Sequence, residues 1–409
     1  MKITLFNPPN WYYSEQSIGR IYPLLSLPLI AQVLGKAGHD VNVVDLEAFT
    51  RKPHDIEPEG QDVIGFNVIL ANKRGAYDCI KQLREKGYKG LIVTGGNHAT
   101  HKPQESIDAG ADLVVTGECE GNIVQLLETR ARGIQAGQGV SIEDVPIPDW
   151  ECHEPRVNTY AGHTVFLDRP AITMWSRGCP FSCIFCGNNI FGQRATKYRP
   201  VENITAEMQY LKDRWGFKSA YVYDDELIGT RHPEGWIDGL VERIGPMGYR
   251  LAAQGRCSER QITPELMQKL RKLGLVVVYW GVESLCNETL KNINKKTTTD
   301  DIFHSLKVSK EAGIKNAIFF QVGNYRETEE QVQETYQNLK KLKEYTDEFR
   351  VFITQVRDGT KLAELAKAEG WYTPLPEGWR TQRETNLDTP WMKRERIEYW
   401  QHKYYEAMK

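Results

Sequence analysis

The sequence has no excess of charge of one sign and no long hydrophobic run. Lysine and arginine total 52 and aspartate and glutamate total 54, a formal net charge of -2 in 409 residues. This balance disfavours a dominant nucleic-acid surface. The longest apolar runs, such as residues 275–280, are too short to cross a bilayer. Because the first residues also lack the apolar core and cleavage site of a signal peptide, we expect a cytoplasmic monomer that contacts no membrane.

Cysteine is also scarce, which excludes a fold held together by disulfides. Eight cysteines in 409 residues are too few for such a scaffold. Three of them, Cys179, Cys183 and Cys186, nevertheless fall within eight consecutive positions. In a reducing compartment, such a cluster indicates a metal or redox site.

The first 132 residues alternate short apolar runs with longer amphipathic ones. Nearly continuous apolar runs that alternate with helical periodicity predict a parallel sheet covered on both faces. The predicted strands are 3–6, 41–45, 63–66, 91–94 and 113–116, and the predicted helices are 24–36, 74–86 and 122–132. Residues 1–132 are therefore predicted to form a Rossmann-like α/β domain.

The rest of the chain divides into a linker, a second α/β region and a helical extension. Residues 133–170 are interrupted by glycine and proline and predict a linker. Residues 171–368 return to βα alternation and predict a partial (βα)6 TIM-like barrel. Its predicted strands are 171–175, 219–223, 250–254, 276–281, 317–322 and 349–353. Residues 369–409 predict an extension whose helix, about 390–408, packs its aromatic side chains on the barrel.

The three clustered cysteines follow the first strand of the predicted barrel. Gly178, Pro180 and Gly187 favour a loop, in which thiolates spaced by three and then two residues can converge. Three cysteine ligands leave one iron of a four-iron cluster open to a small molecule, whereas four ligands close it. The alternative is a zinc site completed by Cys257, Cys286 or a histidine. Because the chain has no second close pair of cysteines, the sequence favours the iron–sulfur cluster.

This segment resembles the signature of the radical S-adenosylmethionine superfamily, CX3CX2C in the loop after the first barrel strand. The resemblance extends to further strand ends and turns, at residues 221–226, 254–256, 279–284, 324–330 and 358–362. Two segments depart from the family pattern, because residues 324–326 lack Leu-Pro and residues 356–358 lack a proline. Both departures concern turns, so they bear on the substrate class and not on the cluster.

The resemblance implies the cofactors and the first step of the reaction. S-adenosylmethionine would chelate the open iron of a 4Fe-4S cluster, and an electron from a donor such as flavodoxin or ferredoxin would split it into methionine and a 5′-deoxyadenosyl radical. Its carboxylate needs a guanidinium, for which Arg256 is the candidate, and its amino group and ribose need acceptors. The candidate S-adenosylmethionine-binding residues are Phe185, Tyr223, Glu226, Arg256, Glu283, Ser284 and Gln321.

The front domain lacks a G-x-G-x-x-G segment after its first strand, which disfavours a nicotinamide or flavin role. Its strand ends instead resemble the cobalamin-binding domain that precedes the barrel in cobalamin-dependent radical enzymes. The D-x-H-x-x-G motif of other cobalamin proteins is absent, so His98 is interpreted as a loop residue rather than a cobalt ligand. The candidate cobalamin-binding residues are Asn7, Pro8, Asn67, Val68, Gly95, Gly96, Asn97, His98, Gly117 and Glu118. The alternative is a relic domain that binds nothing and only braces the barrel.

Together these patterns predict a cobalamin-dependent radical S-adenosylmethionine enzyme. In the family that it resembles, the usual reaction methylates an unactivated carbon, here of a small metabolite or peptide. A second hypothesis keeps the radical but gives a rearrangement, ring contraction or cyclisation, with a structural or cobalamin-binding front domain. A third makes the chain a non-catalytic metal- or cobalamin-binding module. Neutral charge and the lack of an added recognition domain favour a small substrate over nucleic acid.

Overall fold

A computed structural model describes residues 1–8, 25–46, 56–153, 166–188, 195–373 and 387–408. The chain divides into two compact units, Met1–Val165 and Phe166–Lys409. Each unit has its own six-stranded parallel sheet. The division falls inside the segment predicted as a linker, and the three boundaries between the four predicted segments stay predictions.

The first unit is a doubly wound sheet. Its strands are β1 (Lys2–Asn7), β2 (Asp40–Asp45), β3 (Val63–Asn67), β4 (Leu91–Gly95), β5 (Leu113–Thr116) and β6 (Gly133–Ala136). Its helices are α1 (Ser26–Lys36), α2 (Lys73–Glu85), α3 (Asn97–His101), α4 (Pro103–Asp108) and α5 (Ile123–Glu128). The spatial order β2-β1-β3-β4-β5-β6 reverses its winding between β1 and β3. In sheets of this kind, ligands bind at the carboxyl ends of the strands at that switch point.

Hydrophobic side chains cover both faces of the first sheet. One core joins Ile64 and Ile92 of the sheet to Ile80 of α2. A second core joins Ile3 of the sheet to Leu34 of α1. All five residues of β3 are buried, which explains the nearly continuous apolar run in the sequence. The predicted Rossmann-like architecture is confirmed.

Strand β6 lies inside the segment predicted as a linker. It pairs in parallel with β5, with Leu113 opposite Gly133 and Thr116 opposite Ala136. Its residues alternate between half-buried and exposed at the edge of the sheet, so no apolar run reveals the strand in the sequence. The first four residues of the predicted linker thus form an edge strand of the first sheet. Two short 3-10 helices follow, Ile142–Asp144 and Glu151–His153.

The second unit contains the predicted six βα units. Its strands are β7 (Ala171–Thr173), β8 (Ser176–Arg177), β9 (Lys197–Tyr198), β10 (Ser219–Val222), β11 (Arg250–Gly255), β12 (Leu275–Glu283), β13 (Lys315–Val322) and β14 (Glu348–Ile353). Its helices are α6 (Val201–Trp215), α7 (Trp236–Ile244), α8 (Pro264–Leu273), α9 (Asn287–Asn292), α10 (Thr299–Glu311), α11 (Glu329–Leu342), α12 (Lys361–Ala368) and α13 (Arg394–Met408). The sheet runs β7-β10-β11-β12-β13-β14, and β8 and β9 form a separate antiparallel pair. The predicted partial barrel is confirmed.

The two faces of the second sheet differ in burial. Phe320 of β13 is fully buried and contacts Tyr404 of α13, with ring centroids 6.2 Å apart. Its neighbours Phe319 and Gln321 point the opposite way and are half-buried. The side of the sheet that carries Phe320 is called the outer face here, and the side that carries Phe319 the inner face.

Helix α13 covers the edge strand β14. Tyr404 is fully buried, and its hydroxyl donates to the carbonyl of Val332 on α11 at 3.0 Å. Gln401 donates from Nε2 to the carbonyl of Val351 at 3.0 Å. The N–H of Val351 donates to the hydroxyl of Tyr405 at 3.1 Å. The predicted packing of an aromatic C-terminal helix on the barrel is confirmed.

Candidate functional site

The three clustered cysteines lie in the segment between β7 and α6. Cys183 is buried, Cys179 and Cys186 are half-buried, and all three are free thiols. Burial, the Glu226 carboxylate and the other two thiols raise the pKa of Cys179 to about 12. Burial and the nearby Cys183 also raise the pKa of Cys186. The thiols therefore share one buried environment, in which a metal is needed to stabilise the thiolate form.

Two neighbouring segments hold the cysteine loop in place. Ile184 donates its N–H to the carbonyl of Ile293 at 3.1 Å and accepts from the N–H of Leu362 at 2.9 Å. Asn294 donates from Nδ2 to the carbonyl of Ser182 at 2.8 Å. The loop is therefore fixed by the turn after α9 and by the start of α12.

The beginning of the loop is tied to the end of β10. Asp224 accepts from the N–H of Trp175 at 2.8 Å and from the hydroxyl of Ser176 at 2.6 Å. Burial raises the pKa of Asp224 to about 7. Its neighbour Asp225 accepts a hydrogen bond from Asn188, just beyond the third cysteine. The acidic run after β10 thus positions both ends of the cysteine loop.

Arg256, at the end of β11, contacts the cysteine loop. Its side chain is 4% exposed, and Nη1 donates to the Sγ of Cys183 at 3.6 Å. Its Cζ lies 3.8 Å from the ring centroid of Phe181. Nη2 is buried and has no hydrogen-bond partner among the described residues. Because a buried guanidinium N–H without an acceptor is costly, the site fits an anionic group such as a cluster or a carboxylate.

A buried ion pair lies at the end of β12. Lys295 Nζ is 2.9 Å from Glu283 Oε1, and both side chains are 9% exposed. Burial opposes the charge on Lys295, but Glu283 and Cys183 outweigh it and raise its pKa. Glu283 has a φ of +66°, a left-handed conformation that strains a residue other than glycine. A strained carboxylate held by a buried cation beside a cysteine ligand marks a candidate functional position.

Glu226 clamps the ends of β10 and β11 together. Its Oε1 accepts from the N–H of Gly229 at 2.7 Å and from the N–H of Arg256 at 3.2 Å. A Cβ on Gly229 would lie 2.4 Å from the carbonyl oxygen of Arg256, so the close approach requires glycine. Burial raises the pKa of Glu226. The carboxylate therefore fixes the backbone that carries the Arg256 guanidinium.

The other candidates for S-adenosylmethionine binding occupy different positions. Ser284 is buried, and its hydroxyl hydrogen-bonds to Thr335 on α11 at 2.9 Å, which commits it to helix packing. Tyr223 is 54% exposed at the end of β10. Gln321 is half-buried on the inner face, and Phe185 is half-buried between two of the cysteines. Their roles stay predictions.

Glu327 was not named from the sequence, yet it anchors the turn after β13. It accepts from the N–H groups of Gly323 at 2.8 Å and Asn324 at 2.9 Å, and from the side chain of Asn324 at 3.2 Å. Asn324 also donates to the carbonyl of Gln321 at 3.2 Å. Burial raises the pKa of Glu327 to about 7. Glu327 thus shapes the turn that follows Gln321.

The alternative of a zinc site requires further ligands around one ion. Cys257 and Cys286, the two cysteines named for that role, are both buried. Among the residues that the structure describes, no group of three or more histidine, cysteine, aspartate or glutamate side chains is arranged to hold a single metal ion.

In the first unit, buried polar side chains meet at the switch point between β1 and β3. Asn7 donates from Nδ2 to Asp45 Oδ1 at 3.0 Å. Asn72 donates to the carbonyl of Asn67 at 3.0 Å and lies 3.4 Å from Asn7 Oδ1. Pro8 follows β1 directly and is buried. The candidates on β1 and β3 are therefore brought together at the strand ends where this fold binds ligands.

Gly96 lets the ends of β3 and β4 approach closely. It has a φ of +97°, and a Cβ there would lie 2.2 Å from Asn67 Oδ1 and 2.8 Å from the carbonyl of Val68. The N–H of Val68 donates to the carbonyl of Gly95 at 2.7 Å. Gly117, after β5, also has a positive φ of +81°. This glycine edge is therefore required by the backbone conformation and by the close packing of the strand ends.

His98 is buried and engaged in a polar network. Its Nε2 lies 2.8 Å from Glu105 Oε2, and the same oxygen lies 3.2 Å from Lys73 Nζ. Burial lowers the pKa of His98, which favours the neutral ring. His98 lies in helix α3 and not in a loop as predicted, and these contacts give it a structural role. The other two candidates, Asn97 and Glu118, are exposed and half-buried respectively.

Comparisons with known proteins identify both units. The model of the radical SAM superfamily matches residues 173–339, and the model of the B12 binding domain matches residues 16–127. The chain therefore joins a B12 binding domain to a radical SAM domain, the arrangement of the cobalamin-dependent radical S-adenosylmethionine enzymes. The predicted enzyme class and its cofactors, a 4Fe-4S cluster, S-adenosylmethionine and cobalamin, are confirmed by these two family matches.

Similar proteins include methyltransferases. An uncharacterised methyltransferase of Pyrococcus horikoshii is 26% identical, covering 93% of this chain and 86% of its own. The hopanoid C-3 methylase of Methylococcus capsulatus is also 26% identical and covers 78% of this chain, which spans 64% of that protein. The structure of the methyltransferase TsrM from Kitasatospora setae, with cobalamin and a 4Fe-4S cluster bound, matches with a TM-score of 0.71. At 17% identity, over 98% of this chain and 84% of TsrM, it shows the same fold.

Membership in this superfamily also bears on partners. Radical S-adenosylmethionine enzymes typically act on small molecules and take an electron from a donor. In the ranges that the structure describes, no helix has the length and apolar character to span a bilayer.

Proposed function

We propose that this enzyme methylates an unactivated carbon of a small metabolite or peptide. The observation that carries the proposal is the buried guanidinium of Arg256, which donates to the Sγ of Cys183 and keeps Nη2 without an acceptor among the described residues. The Arg256 guanidinium donates to a cysteine ligand through one nitrogen and keeps the other available. This arrangement fits a carboxylate bound next to an iron–sulfur cluster. The front unit with its glycine edge supports cobalamin as the source of the methyl group.

The residues proposed to bind S-adenosylmethionine contact its iron site, its methionine moiety or its adenosine. Cys179, Cys183 and Cys186 would hold the cluster, and Arg256 would bind the carboxylate of the methionine moiety. Glu283, held by Lys295 at 2.9 Å, accepts from the amino group. Glu226 acts through the backbone of Arg256, and Ser284 acts through the packing of α11. The remaining candidates, which contact the adenosine, are Phe185, Tyr223 and Gln321.

The cobalamin would lie against the strand ends of the first unit. The residues proposed to contact it are Asn7, Pro8, Asn67, Val68, Gly95, Gly96, Asn97, Gly117 and Glu118. The close approach at Gly96 and the buried polar network of Asn7 support this placement. His98 stabilises the segment after β4 through Glu105.

When bound, the cluster supplies the electron that splits S-adenosylmethionine, and cobalamin supplies the methyl group. We infer that flavodoxin or ferredoxin delivers the electron and that the chain works as a monomer in the cytoplasm. The eight cysteines are all free thiols, which supports a reducing compartment.

Anaerobic reconstitution with iron and sulfide tests the proposal. We expect the loaded protein to convert S-adenosylmethionine to 5′-deoxyadenosine, and we expect Cys183→Ala to lose both the cluster absorbance and the product. Cys79→Ala is the matched control, because Cys79 is a buried thiol in the core of the first unit. Products that gain one methylene unit support methyl transfer, whereas products of unchanged mass favour a rearrangement or cyclisation. A full cluster without 5′-deoxyadenosine would falsify the enzyme proposal.

A further inference from the structure

Five aromatic side chains follow one another across the inner face of the second sheet. Their neighbouring ring centroids lie 5.5 Å apart from Tyr223 to Tyr221, and 5.6 Å apart from Tyr221 to Tyr279, from Tyr279 to Phe319 and from Phe319 to Phe352. These residues come from β10, β12, β13 and β14 or directly follow them. The five residues together are called the aromatic belt.

Three rings of the aromatic belt keep accessible surface, whereas Tyr221 and Tyr279 are each only 6% exposed. Tyr223 is 54% exposed, and Phe319 and Phe352 are half-buried. Their outward-facing neighbours on the same strands, Phe320 and Ile353, are 0% and 2% exposed. The belt is therefore a partly open apolar surface, which is typical of a small-molecule site.

A charge-compensated pair adjoins the belt. Arg350 Cζ lies 5.9 Å from the ring centroid of Phe319, and its Nε donates to Glu348 Oε1 at 2.7 Å. Because the two charges compensate each other, this part of the inner face offers little attraction to phosphate or carboxylate. Glu348 Oε2 is buried and accepts no hydrogen bond from the part of the chain that the structure describes. Glu348 comes four residues before Phe352 on β14, so both side chains lie on the inner face. An N–H or O–H donor would satisfy this buried acceptor.

The belt lies close to the strand ends that carry the candidate cluster site. On β12, Gly281 comes two residues after Tyr279, and two residues of strand span about 6.6 Å. A Cβ on Gly281 would lie 2.9 Å from Glu283 Oε1 and 3.0 Å from Lys295 Nζ, so the buried ion pair occupies the space above it. A ligand that contacts Tyr279 thus lies about two residues of strand away from the residues proposed to bind S-adenosylmethionine.

We propose that the aromatic belt binds the substrate between Tyr221 and Phe352, while Tyr223 at its end contacts the adenosine, and that this substrate is a planar, uncharged ring compound with one hydrogen-bond donor. This inference rests on the proposed function, because only an enzyme of that kind makes the bound ring compound its substrate. Planar rings are attracted to such a surface by offset stacking and edge-to-face contacts at 4.5–7 Å. The donor is directed to Glu348 Oε2, and the compensated Arg350 disfavours phosphorylated or carboxylated compounds.

Three naphthalene probes test the chemical class on the reconstituted full-length protein. Binding is measured anaerobically by saturation-transfer NMR and calorimetry, without turnover. We expect 2-naphthol to bind, 2-methoxynaphthalene to bind several-fold more weakly because it lacks the donor, and 2-naphthyl phosphate to bind at least about tenfold more weakly. Equal or tighter binding of the phosphate, or no binding of 2-naphthol, overturns the inference.

Two phenylalanine variants test the location. Phe319→Leu changes the inner face, whereas Phe349→Leu is its control on the same sheet, since Phe349 contacts Phe320 at 5.2 Å and Tyr405 at 6.0 Å. We expect Phe319→Leu to weaken 2-naphthol binding about tenfold and Phe349→Leu to leave it unchanged. An equal effect of both variants, or no effect of Phe319→Leu, overturns the placement.

The two proposals fail in distinguishable ways, because probe binding and S-adenosylmethionine cleavage are measured separately. Formation of 5′-deoxyadenosine without belt-dependent binding overturns the belt as the substrate site and leaves the radical enzyme intact. Belt-dependent binding without 5′-deoxyadenosine supports the belt as a ring-binding surface and overturns the proposed function.

Discussion

Arg256 is the single residue on which the proposed binding of S-adenosylmethionine depends most. Arg256→Gln removes the charge and leaves the bound carboxylate without its partner. A hydrogen bond to a charged group contributes about 1.5–3 kcal/mol, so we expect the KM for S-adenosylmethionine to rise roughly 10- to 100-fold. The measurement is 5′-deoxyadenosine formation against S-adenosylmethionine concentration, with iron content determined on the same samples.

The control for this prediction is Arg243→Gln. Arg243 pairs with Glu202 at 3.0 Å on the surface of the same unit, so its replacement should leave the KM unchanged. Arg256→Lys should fall between wild type and Arg256→Gln, because lysine keeps the charge but loses the planar fork that lies over Phe181. An unchanged KM in Arg256→Gln at full iron content contradicts the assignment.

Glu327 gives a prediction about pH. Burial raises its pKa from 4.5 to about 7, so the folded chain retains a proton that the unfolded chain has released between these values. Its contribution to stability is therefore complete below about pH 4.5 and declines as the pH rises to about 7. Compared with Glu327→Gln, wild type should lose at most about 3 kcal/mol between pH 5 and pH 8. Thermal unfolding of both proteins at the two pH values checks this, and a constant difference contradicts it.

The sequence predicted part of the site because certain signals are local. The cysteine spacing and the residues at strand ends, such as Glu226 and Arg256, stand in recognisable segments. Lys295 has no such signal, since it lies 12 residues after Glu283 and meets it only through the turn after α9. Glu327 was missed for a related reason, because its role as an acceptor depends on the folded turn at residues 323–324.

At the scale of elements, the sequence indicates the starts of helices better than it indicates edge strands. Helices α8 and α10 begin at residues 264 and 299, each directly after a threonine. The side chains of Thr263 and Thr298 cap their first turns, and such caps are encoded in neighbouring residues. Strand β6 has no local marker, because its strand partner β5 lies 20 residues away. An exposed four-residue strand is therefore defined by pairing and not by its own sequence.

Helix α13 yields a prediction about stability. Tyr404 is fully buried, its ring lies 6.2 Å from Phe320, and its hydroxyl donates to Val332. Truncation of a buried aromatic costs about 3–5 kcal/mol, so Tyr404→Ala should lower the melting temperature by roughly 10 °C. Tyr399→Ala is the matched control on the same helix, because Tyr399 is 41% exposed and should change little. Equal melting temperatures for the two variants in differential scanning calorimetry contradict the packing role.

At the scale of the whole molecule, each unit has its own sheet, and we expect the two cofactors to load independently. Gly96→Val places a side chain where a Cβ would lie 2.2 Å from Asn67, so cobalamin should be lost while the iron remains. Cys183→Ala should show the reverse, with full corrin absorbance and a defective cluster. Iron and cobalt analysis of protein produced with hydroxocobalamin measures both. Normal cobalt in Gly96→Val contradicts the proposed corrin site, and colourless wild-type protein favours a relic domain.

The hydrogen bonds between α13 and Val351 have a consequence for the behaviour of the protein in solution. An open parallel sheet has two edge strands, and another extended chain can pair with the free main-chain groups of each. The margin at β7 is only three residues long, and at β14 the side chains of Gln401 and Tyr405 occupy the main-chain groups of Val351. Helix α13 therefore protects the edge strand β14 from pairing with another chain. We expect proteolysis before residue 394 to cause fibrillar self-assembly.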